Sequence, residues 1–290
     1  MMFRRLAAGF AIAAIAVTAA ACGSSGDDKP KVDVAKDVKF KAGTTMAKLH
    51  DADKITIGTK YDQPGIGFKN PATGQLEGFD VEMGKIVAAK LGIAPDKISW
   101  KEVVSKNRET FIQQNQIDIM IGSYSITDDR KKLVDFAGPY YVTGQQLLVR
   151  KDDNSINGPT QLKGKKVCSV TGSTSLDTVE QKYGANPIPF DTYQKCVDSL
   201  LDKQVDAVTT DGAILLGYAA QKPDDLKVVG DAFSTENYGI GLKKGDQAFR
   251  DFLNDTIEGS YKDGSWKKAF TDTLGKAKVP TPTPPKVDRY

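Results

Sequence analysis

The sequence predicts an α/β protein of two similar lobes, each a mostly parallel sheet flanked by helices. Short β-rich runs alternate with helical patterns from about residue 54 to residue 230, and strands that alternate with helices form mostly parallel sheets. The alternation begins again near residue 165, after a long extended segment. Two stretches also share one layout of helix, polar turn, buried strand and polar loop: "FIQQNQIDIMIGSYSI" at 111–126 and "SLLDKQVDAVTTDGAI" at 199–214. This similarity predicts two lobes.

The first lobe is expected over residues 38–145. Its clearest helix spans 78–92, where apolar residues such as Ile86 and Leu91 recur broadly at helical spacing and Gly92 ends the run. The predicted elements in chain order are strand 54–59, helix 78–92, strand 98–103, helix 108–115, strand 117–123 and an extended segment 140–150.

The second lobe is expected over residues 146–238, and the chain is expected to return to the first lobe over 239–277. The return has an extended run, 238–245, followed by one helix, 249–266. The two hinge strands are predicted at about Tyr141–Arg150 and Tyr238–Lys243. The other predicted elements are strand 165–170, helix 173–184, strand 186–190, helix 193–204, strand 205–210, helix 212–221 and strand 226–230.

The N-terminus has the layout of an export signal. Arg4 and Arg5 precede the apolar run 6–21, which is too short for a comfortable membrane span, and Cys22 follows. The pattern resembles a bacterial lipoprotein signal, so we expect a signal peptide at 1–21, lipid on Cys22 and a flexible tether over 22–37. The alternative is an ordinary secretory signal cut after an A-x-A sequence. The lipid would anchor the protein to the outer face of the cell membrane.

Export also bears on the other two cysteines. An oxidising compartment makes a disulfide between Cys168 and Cys196 plausible, and two buried free thiols are the alternative. At the other end, residues 278–290 contain four prolines and predict an extended tail.

Charge and composition exclude several classes of function. The chain has 40 Lys+Arg against 37 Asp+Glu, which gives no support to nucleic-acid binding because such proteins carry a strong basic stripe. The one histidine, His50, lies before the first strand, and no Cys/His cluster occurs. We therefore expect no metal, no cofactor and no catalytic residue.

Polar loops at the carboxyl ends of the strands supply the candidate site, because ligands bind there in open α/β sheets. Arg130 ends a hydroxyl-rich loop that contains Ser123 and Ser125, and its planar fork matches a carboxylate. The alternative is an ion-paired or surface arginine in a short helix.

The second lobe contributes two further features. Gly172 precedes Ser173 and Thr174, which open a helix whose N–H groups suit an anion; simple capping by Thr174 and Asp177 is the other interpretation. Asp211 follows a buried strand, and it either binds an ammonium group or caps the next helix.

In order along the chain, "GQLEGFDVEMGKIVAAKLG", "YSITDDRKKLVDFAGPYY", "VTGSTS" and "DAVTTDGAI" resemble the motifs of the polar amino-acid-binding proteins of ABC importers. The resemblance covers about residues 50–275 and extends to the glutamate-binding lipoproteins of high-GC Gram-positive bacteria. It implies a periplasmic-binding-protein-like fold of type II with a two-strand hinge. It also implies a monomer that delivers an amino acid to the permease subunits.

The resemblance also implies residue roles. The S-x-T-x-x-R motif ending at Arg130 places the ligand α-carboxylate on that arginine, helped by Ser123 and Ser125. Ser173 and Thr174 would close on the same carboxylate, and Asp211 would take the α-ammonium group.

Charge favours L-glutamate as the ligand. The family pattern of acidic-ligand binders places an arginine before the "FIQQNQID" type of helix, and Arg108 stands there. Glutamate would be neutralised by Arg130, Arg108 and Asp211 together, since an unpaired buried ion is costly. Lys60 could add a second cation, which would break this neutrality unless Lys60 stays hydrated or pairs with Asp62, and Tyr61 could form an aromatic wall.

Four alternatives remain at this level. Arg108 could be a solvated residue at a helix start. The ligand could be aspartate, glutamine or a dicarboxylate. An enzyme on the same fold would need a general acid or nucleophile in the cleft. A sensor or adhesion protein would have no transport role.

Overall fold

The computed structural model describes residues 33–277 and 279–290. The predicted signal peptide, Cys22 and most of the predicted tether lie outside this part of the chain. Within it, no helix combines the length and apolar character that crossing a membrane requires.

Two five-stranded sheets organise the molecule, and a three-stranded sheet accompanies them. The strands are β1 (Ile55–Thr59), β2 (Asp62–Gln63), β3 (Gly67–Lys69), β4 (Leu76–Glu77), β5 (Ile98–Glu102), β6 (Ile119–Met120), β7 (Asp135–Thr143), β8 (Gln145–Arg150), β9 (Lys166–Val170), β10 (Asn186–Phe190), β11 (Ala207–Asp211), β12 (Leu226–Val229) and β13 (Glu236–Leu242). The helices are α1 (Thr45–Asp51), α2 (Phe79–Lys90), α3 (Arg108–Gln113), α4 (Asp128–Leu133), α5 (Thr174–Tyr183), α6 (Tyr193–Leu201), α7 (Gly212–Gln221), α8 (Gln247–Asp263) and α9 (Ser265–Asp272).

The two large sheets have the same arrangement. The first runs β5-β1-β6-β13-β7 and the second β10-β9-β11-β8-β12. In each, the first three strands are parallel, the fourth is antiparallel to both neighbours, and the fifth again follows the direction of the first three. The predicted α/β class with two mostly parallel sheets is confirmed. We call the parts built on the first and second sheets the first half and the second half.

The chain crosses between the halves at two adjacent places. The predicted extended segment 140–150 divides at Gly144 into β7 and β8, and the return crossing is residues 230–235. A Cβ at Gly144 would lie 2.3 Å from the Ser234 carbonyl oxygen, so glycine lets the two crossings touch. The predicted hinge strand Tyr238–Lys243 instead lies mostly within β13, which pairs with β7 in the first sheet.

Local differences from the predictions have local causes. The predicted helix 249–266 is two helices, since Gly264 has φ +80° and separates α8 from α9. The strand predicted over 117–123 is shorter in the structure, where β6 is Ile119–Met120. Helix α1 and the small sheet β2–β3–β4 were not predicted, because elements of two to seven residues show no resolvable periodicity.

The predicted disulfide between Cys168 and Cys196 is present. It joins β9 to α6, and both residues are fully buried. The bond therefore fixes a helix against the centre of the second sheet.

Removing this disulfide by a Cys168→Ala/Cys196→Ala double substitution is expected to lower the free energy of unfolding by about 3 kcal/mol, because the closed loop no longer restricts the unfolded chain. Urea unfolding of the variant and of the oxidised wild type measures the difference. Equal midpoints and equal slopes would contradict the expectation.

Candidate functional site

A small cavity opens between the two halves, and its lining is almost entirely polar. Hydroxyl groups, two guanidinium groups and one carboxyl group line it: Ser105, Arg108, Ser123, Ser125, Arg130, Ser173, Thr174, Ser175, Tyr193, Thr210 and Asp211. Every predicted ligand-binding residue except Lys60 and Tyr61 is in this set.

Arg130 lies in the first turn of α4, where the Thr127 hydroxyl accepts a hydrogen bond from the Arg130 N–H and caps the helix. Its Nη1 donates to the Ser125 carbonyl oxygen (2.7 Å) and its Nη2 to the Gly172 carbonyl oxygen (2.9 Å). The Nε lies 3.5 Å from Glu109 Oε1. The helix and the ion pair that the alternative interpretation expected are therefore both present, yet the guanidinium still reaches the cavity.

Arg108 begins α3 and is only 2% exposed. Its guanidinium donates to the carbonyl oxygens of Ser105 (3.1 Å), Ser123 (3.3 Å) and Gly172 (3.1 Å). The carbon Cζ lies 4.3 Å from the centroid of the Tyr124 ring. Burial, together with the nearby Arg130, lowers the pKa of Arg108 to about 10. The alternative of a solvated residue at a helix start is wrong.

The carbonyl oxygen of Gly172 receives a hydrogen bond from each guanidinium and belongs to the second half, so it bridges the cleft. Gly172 has φ +80°, and a Cβ there would lie 2.9 Å from Lys106 Cα across the cleft. Glycine is therefore required both for the turn and for the approach. A further contact, Lys106 Nζ to Asp191 Oδ1 at 2.6 Å, also joins the halves.

Asp80 holds the loop that carries Ser123, a role that was not predicted from its place as an acidic residue in the first turn of α2. Its Oδ2 accepts from the Ser123 N–H (2.7 Å), and its Oδ1 accepts from the Tyr140 hydroxyl (2.6 Å). Ser123 has φ +42°, a conformation that costs a non-glycine residue about 1 kcal/mol or more. Burial raises the pKa of Asp80 to about 6.

The start of α5 differs from the predicted capping arrangement. Ser173, rather than Thr174 with Asp177, is the N-cap, and its hydroxyl accepts from the Leu176 N–H (3.1 Å). Thr174 donates its hydroxyl to Glu236 Oε2 (3.0 Å). Both side chains nevertheless line the cavity.

Asp211 ends β11 and occupies the N-cap position of α7, but its side chain makes no capping hydrogen bond. Its Oδ2 accepts from the Tyr238 hydroxyl (2.5 Å). Its Oδ1 is buried and has no hydrogen-bond partner within residues 33–277 and 279–290. Burial, and then the charge of Glu236, raises the pKa of Asp211 to about 7. The capping interpretation is wrong, and the unpartnered oxygen suits a donor such as an ammonium group.

Lys60 and Tyr61 stand outside the lining. Lys60 is buried rather than hydrated, and its Nζ donates to the hydroxyl of Ser105, which does line the cavity (2.7 Å). Burial, and then Arg108, lowers the pKa of Lys60 to about 7. The Nζ of Lys69 lies 5.6 Å from the centroid of the Tyr61 ring. The aromatic residue that lines the cavity is Tyr193 rather than Tyr61.

Sequence reasoning missed four lining residues. Ser105 precedes α3, and Ser175 belongs to the first turn of α5. Tyr193 opens α6 after β10, and its hydroxyl accepts from the Thr210 hydroxyl (2.6 Å). Their position at or just beyond the carboxyl ends of strands was the available signal.

The arrangement separates charge within the cavity. Two guanidinium groups come from the first half and one carboxyl group from the second half. No three His, Cys, Asp or Glu side chains come together as metal ligands in the part of the chain that the structure describes. The geometry can bind a small zwitterion between the halves.

The family profile of the bacterial extracellular solute-binding proteins, family 3, matches residues 55–276. The glutamate-binding protein GluB of Corynebacterium efficiens is 38% identical over 95% of this chain and 92% of its own length. A glutamine-binding protein of Geobacillus stearothermophilus is 41% identical over 80% of this chain and 90% of its own length. These relatives are named as binding proteins rather than enzymes.

Solved structures agree in fold. An ancestral arginine-binding protein bound to glutamine superposes with a TM-score of 0.72 at 36% identity, over 77% of this chain and 98% of the other. An ancestral amino acid-binding protein, described as a precursor of cyclohexadienyl dehydratase, gives a TM-score of 0.73 at 26% identity, over 80% of this chain and the whole of the other.

Proposed function

The chain belongs to the bacterial extracellular solute-binding proteins of family 3, and from this premise we propose that it is the receptor of an ABC importer for L-glutamate. The observation that carries the proposal is the pairing of two guanidinium groups with one unpartnered carboxyl oxygen across a polar cavity. Two relatives are named as a glutamate-binding and a glutamine-binding protein, which supports an amino-acid ligand for this chain.

The ligand α-carboxylate would bind Arg130. In the present arrangement the Gly172 carbonyl oxygen accepts from both Arg130 and Arg108. A carbonyl oxygen carries only a partial charge, whereas a carboxylate makes shorter and stronger hydrogen bonds to guanidinium groups. When the halves separate, the carboxylate can therefore replace the carbonyl oxygen.

The ligand α-ammonium group would bind Asp211 Oδ1. An ammonium group carries three donors and no acceptor, and this buried oxygen is an acceptor without a donor among the described residues. Closure of the halves by hinge bending would then surround the ligand. A micromolar receptor needs about 8 kcal/mol of net binding free energy, which a few charge-assisted hydrogen bonds in a closed cleft can supply.

The side-chain carboxylate of glutamate would bind near Arg108, with Lys60 next to it through Ser105. The charge of Arg108 would favour an acidic ligand over glutamine, which would leave that buried charge uncompensated. A proposal of glutamine binding draws its support from the relative that bears this name.

An Arg108→Gln substitution distinguishes the two ligands. It is expected to weaken glutamate binding about tenfold to a hundredfold, since a hydrogen bond to a charged group is lost, and to change glutamine binding much less. Titration calorimetry of wild type and variant with both ligands measures this. Arg108→Ala should show the same contrast on a larger scale.

Equal losses for glutamate and glutamine would contradict the role of Arg108 and leave the amino-acid receptor in place. Tight binding of glutamine by the wild type, with weak binding of glutamate, would overturn the choice of ligand. Aspartate belongs in the same series because it differs from glutamate by one methylene.

The remaining parts of the proposal concern the cell. The protein would act as a monomer, tethered outside the membrane by lipid on Cys22, and would deliver its ligand to the permease subunits. Metabolic labelling with a fatty acid, compared between wild type and Cys22→Ala, tests the anchor. Co-purification with a permease tests the transport role against a sensor or adhesion role.

A further inference from the structure

Residues 279–290, here called the strap, fold back over the first half of the molecule. The Asp288 N–H donates to the Gly138 carbonyl oxygen (2.8 Å), and the Tyr290 hydroxyl accepts from the Phe136 N–H (2.9 Å). Val287 is buried within the hydrophobic core. The strap is therefore attached along β7 at its last four residues.

The Tyr290 ring lies between two cations from different helices. Lys131 Nζ of α4 is 4.0 Å from the ring centroid, and Arg250 Cζ of α8 is 4.2 Å from it. Lys131 Nζ also lies 3.6 Å from Asp288 Oδ2. Cation–π contacts of this kind are attractive, so the strap joins α4 to α8.

Helix α4 needs such support. It has six residues, none of them buried, and a helix of this length is not stable on its own. Lys131 follows Arg130 directly, and the Lys131 N–H donates to the Thr127 carbonyl oxygen (2.9 Å). Any displacement of Lys131 therefore moves the backbone that carries Arg130.

We propose that the strap is a positioning element of the binding site: Tyr290 and Asp288 hold α4 through Lys131 and thereby keep the Arg130 guanidinium directed into the cleft. The effect on ligand affinity rests on the proposed function. The effect on α4 does not, because it can be observed without any ligand.

The test compares two neighbouring residues of the strap in the purified protein. Tyr290→Ala removes the ring between Lys131 and Arg250. Arg289→Ala is the matched control, because the ion pairs of Arg289 within the described residues are those with Asp255 (2.6 Å) and Glu258 (3.0 Å) of α8. Amide hydrogen exchange of peptide 128–134 reports on α4, and titration calorimetry with L-glutamate reports on the site.

In Tyr290→Ala we expect exchange of peptide 128–134 and the glutamate dissociation constant each to rise about threefold or more, the scale of one exposed cation–π contact. Arg289→Ala should match the wild type in both. Tyr290→Phe keeps the ring and should also match it.

Unchanged exchange in Tyr290→Ala, or equal acceleration in Arg289→Ala, would overturn the inference. Faster exchange with unchanged glutamate affinity would overturn the link to Arg130. A Tyr290→Phe variant that behaves like Tyr290→Ala would assign the effect to the hydroxyl on Phe136 and overturn the route through Lys131. If the wild type binds no amino acid, the proposed function fails, whereas the exchange comparison still decides whether the strap holds α4.

Discussion

An Arg130→Ala variant is expected to bind glutamate, glutamine and aspartate at least about a hundredfold more weakly than the wild type, because a buried ligand carboxylate would lose its charged partner. All three ligands share the α-carboxylate, so all three should lose affinity to a similar degree. This pattern differs from that of Arg108→Gln, which separates glutamate from glutamine. Titration calorimetry of the purified variant measures the loss.

Lys132→Ala is the matched control for Arg130→Ala. Lys132 lies in the same short helix, its side chain is 73% exposed, and its salt bridge in the part of the chain that the structure describes is with Asp129, three residues earlier. It should bind glutamate as the wild type does. Wild-type affinity in Arg130→Ala would mean that Arg130 serves the ion pair with Glu109 and the contact with Gly172, and that the carboxylate site lies elsewhere.

Arg130→Lys refines the same prediction. A lysine retains the charge but cannot reach two acceptors with a planar fork. In the structure Nη1 and Nη2 donate in two different directions, to Ser125 and to Gly172. We therefore expect Arg130→Lys to recover only a small part of the lost affinity, and full recovery would show that charge alone is recognised.

The fold class was predictable because the second half repeats the pattern of the first. Strands such as β1 and β9 are short β-rich runs that alternate with helical segments in both halves. The crossing at Gly144 was not predictable, since residues 140–150 have a continuous β-rich composition. They divide at Gly144 because the backbone of Ser234, a residue ninety positions away, approaches so closely there that a side chain would clash with it.

The site was predictable where a residue sits beyond the end of a strand. Arg130 and Asp211 follow this rule, and the structure brings both to one cavity. Tyr61 was wrongly predicted to face the ligand. It follows β1 by two residues, but its ring lies against Lys69 and outside the cavity lining. Alternation along an extended segment decides which of two neighbours turns inward, and here Lys60 is the buried one.

The support of the site by buried groups was beyond sequence reasoning. Asp80 was predicted only as part of a helix, yet it accepts hydrogen bonds from Ser123 and Tyr140 in two different elements. Such networks depend on tertiary approach, and neither composition nor periodicity records them.

Ligand binding is expected to weaken as the pH falls below 7, and Asp211 is the reason. Burial raises the pKa of its carboxyl group to about 7. An ammonium group binds the ionised form, so the affinity is fully present above the pKa and falls about tenfold for each pH unit below it. Asp211 is half ionised at pH 7, so between pH 7 and pH 5 the expected loss is about fiftyfold, and the Asp211 carboxyl group releases protons on binding near neutral pH.

The charged and polar groups that face Asp211 set its pKa and therefore the pH dependence of ligand affinity. Glu236 raises its pKa, whereas the hydrogen bond from Tyr238 and the charges of Arg108 and Arg130 lower it. Arg108, with a pKa of about 10, and Tyr238, whose pKa burial raises well above its usual value, keep their charge states between pH 5 and 8. Asp80 is another buried carboxyl group that titrates in this range, since burial raises its pKa to about 6, so a variant of Asp211 is needed to assign the low-pH limb of the binding curve.

Lys60 adds a second limb for acidic ligands only. Burial and Arg108 lower its pKa to about 7, so its charge is lost as the pH rises above that value. Glutamate binding should therefore pass through a maximum near pH 7, whereas glutamine binding should rise with pH and then level off. Calorimetry from pH 5 to 9 with both ligands, in buffers of different ionisation enthalpy, measures the affinity and the protons exchanged.

Asp211→Asn isolates the cause of the low-pH limb. The substitution keeps the size of the side chain and removes its charge, so the variant should bind every amino acid weakly, by about a factor of ten or more, and its affinity should no longer fall between pH 7 and pH 5. If the variant keeps the acid-dependent loss of the wild type, another buried group, with Asp80 the next to titrate at about 6, would be responsible. In that case the ammonium group would have to bind elsewhere. An amide does not titrate, so replacing the carboxyl group that binds the ammonium group must change the pH dependence of ligand binding.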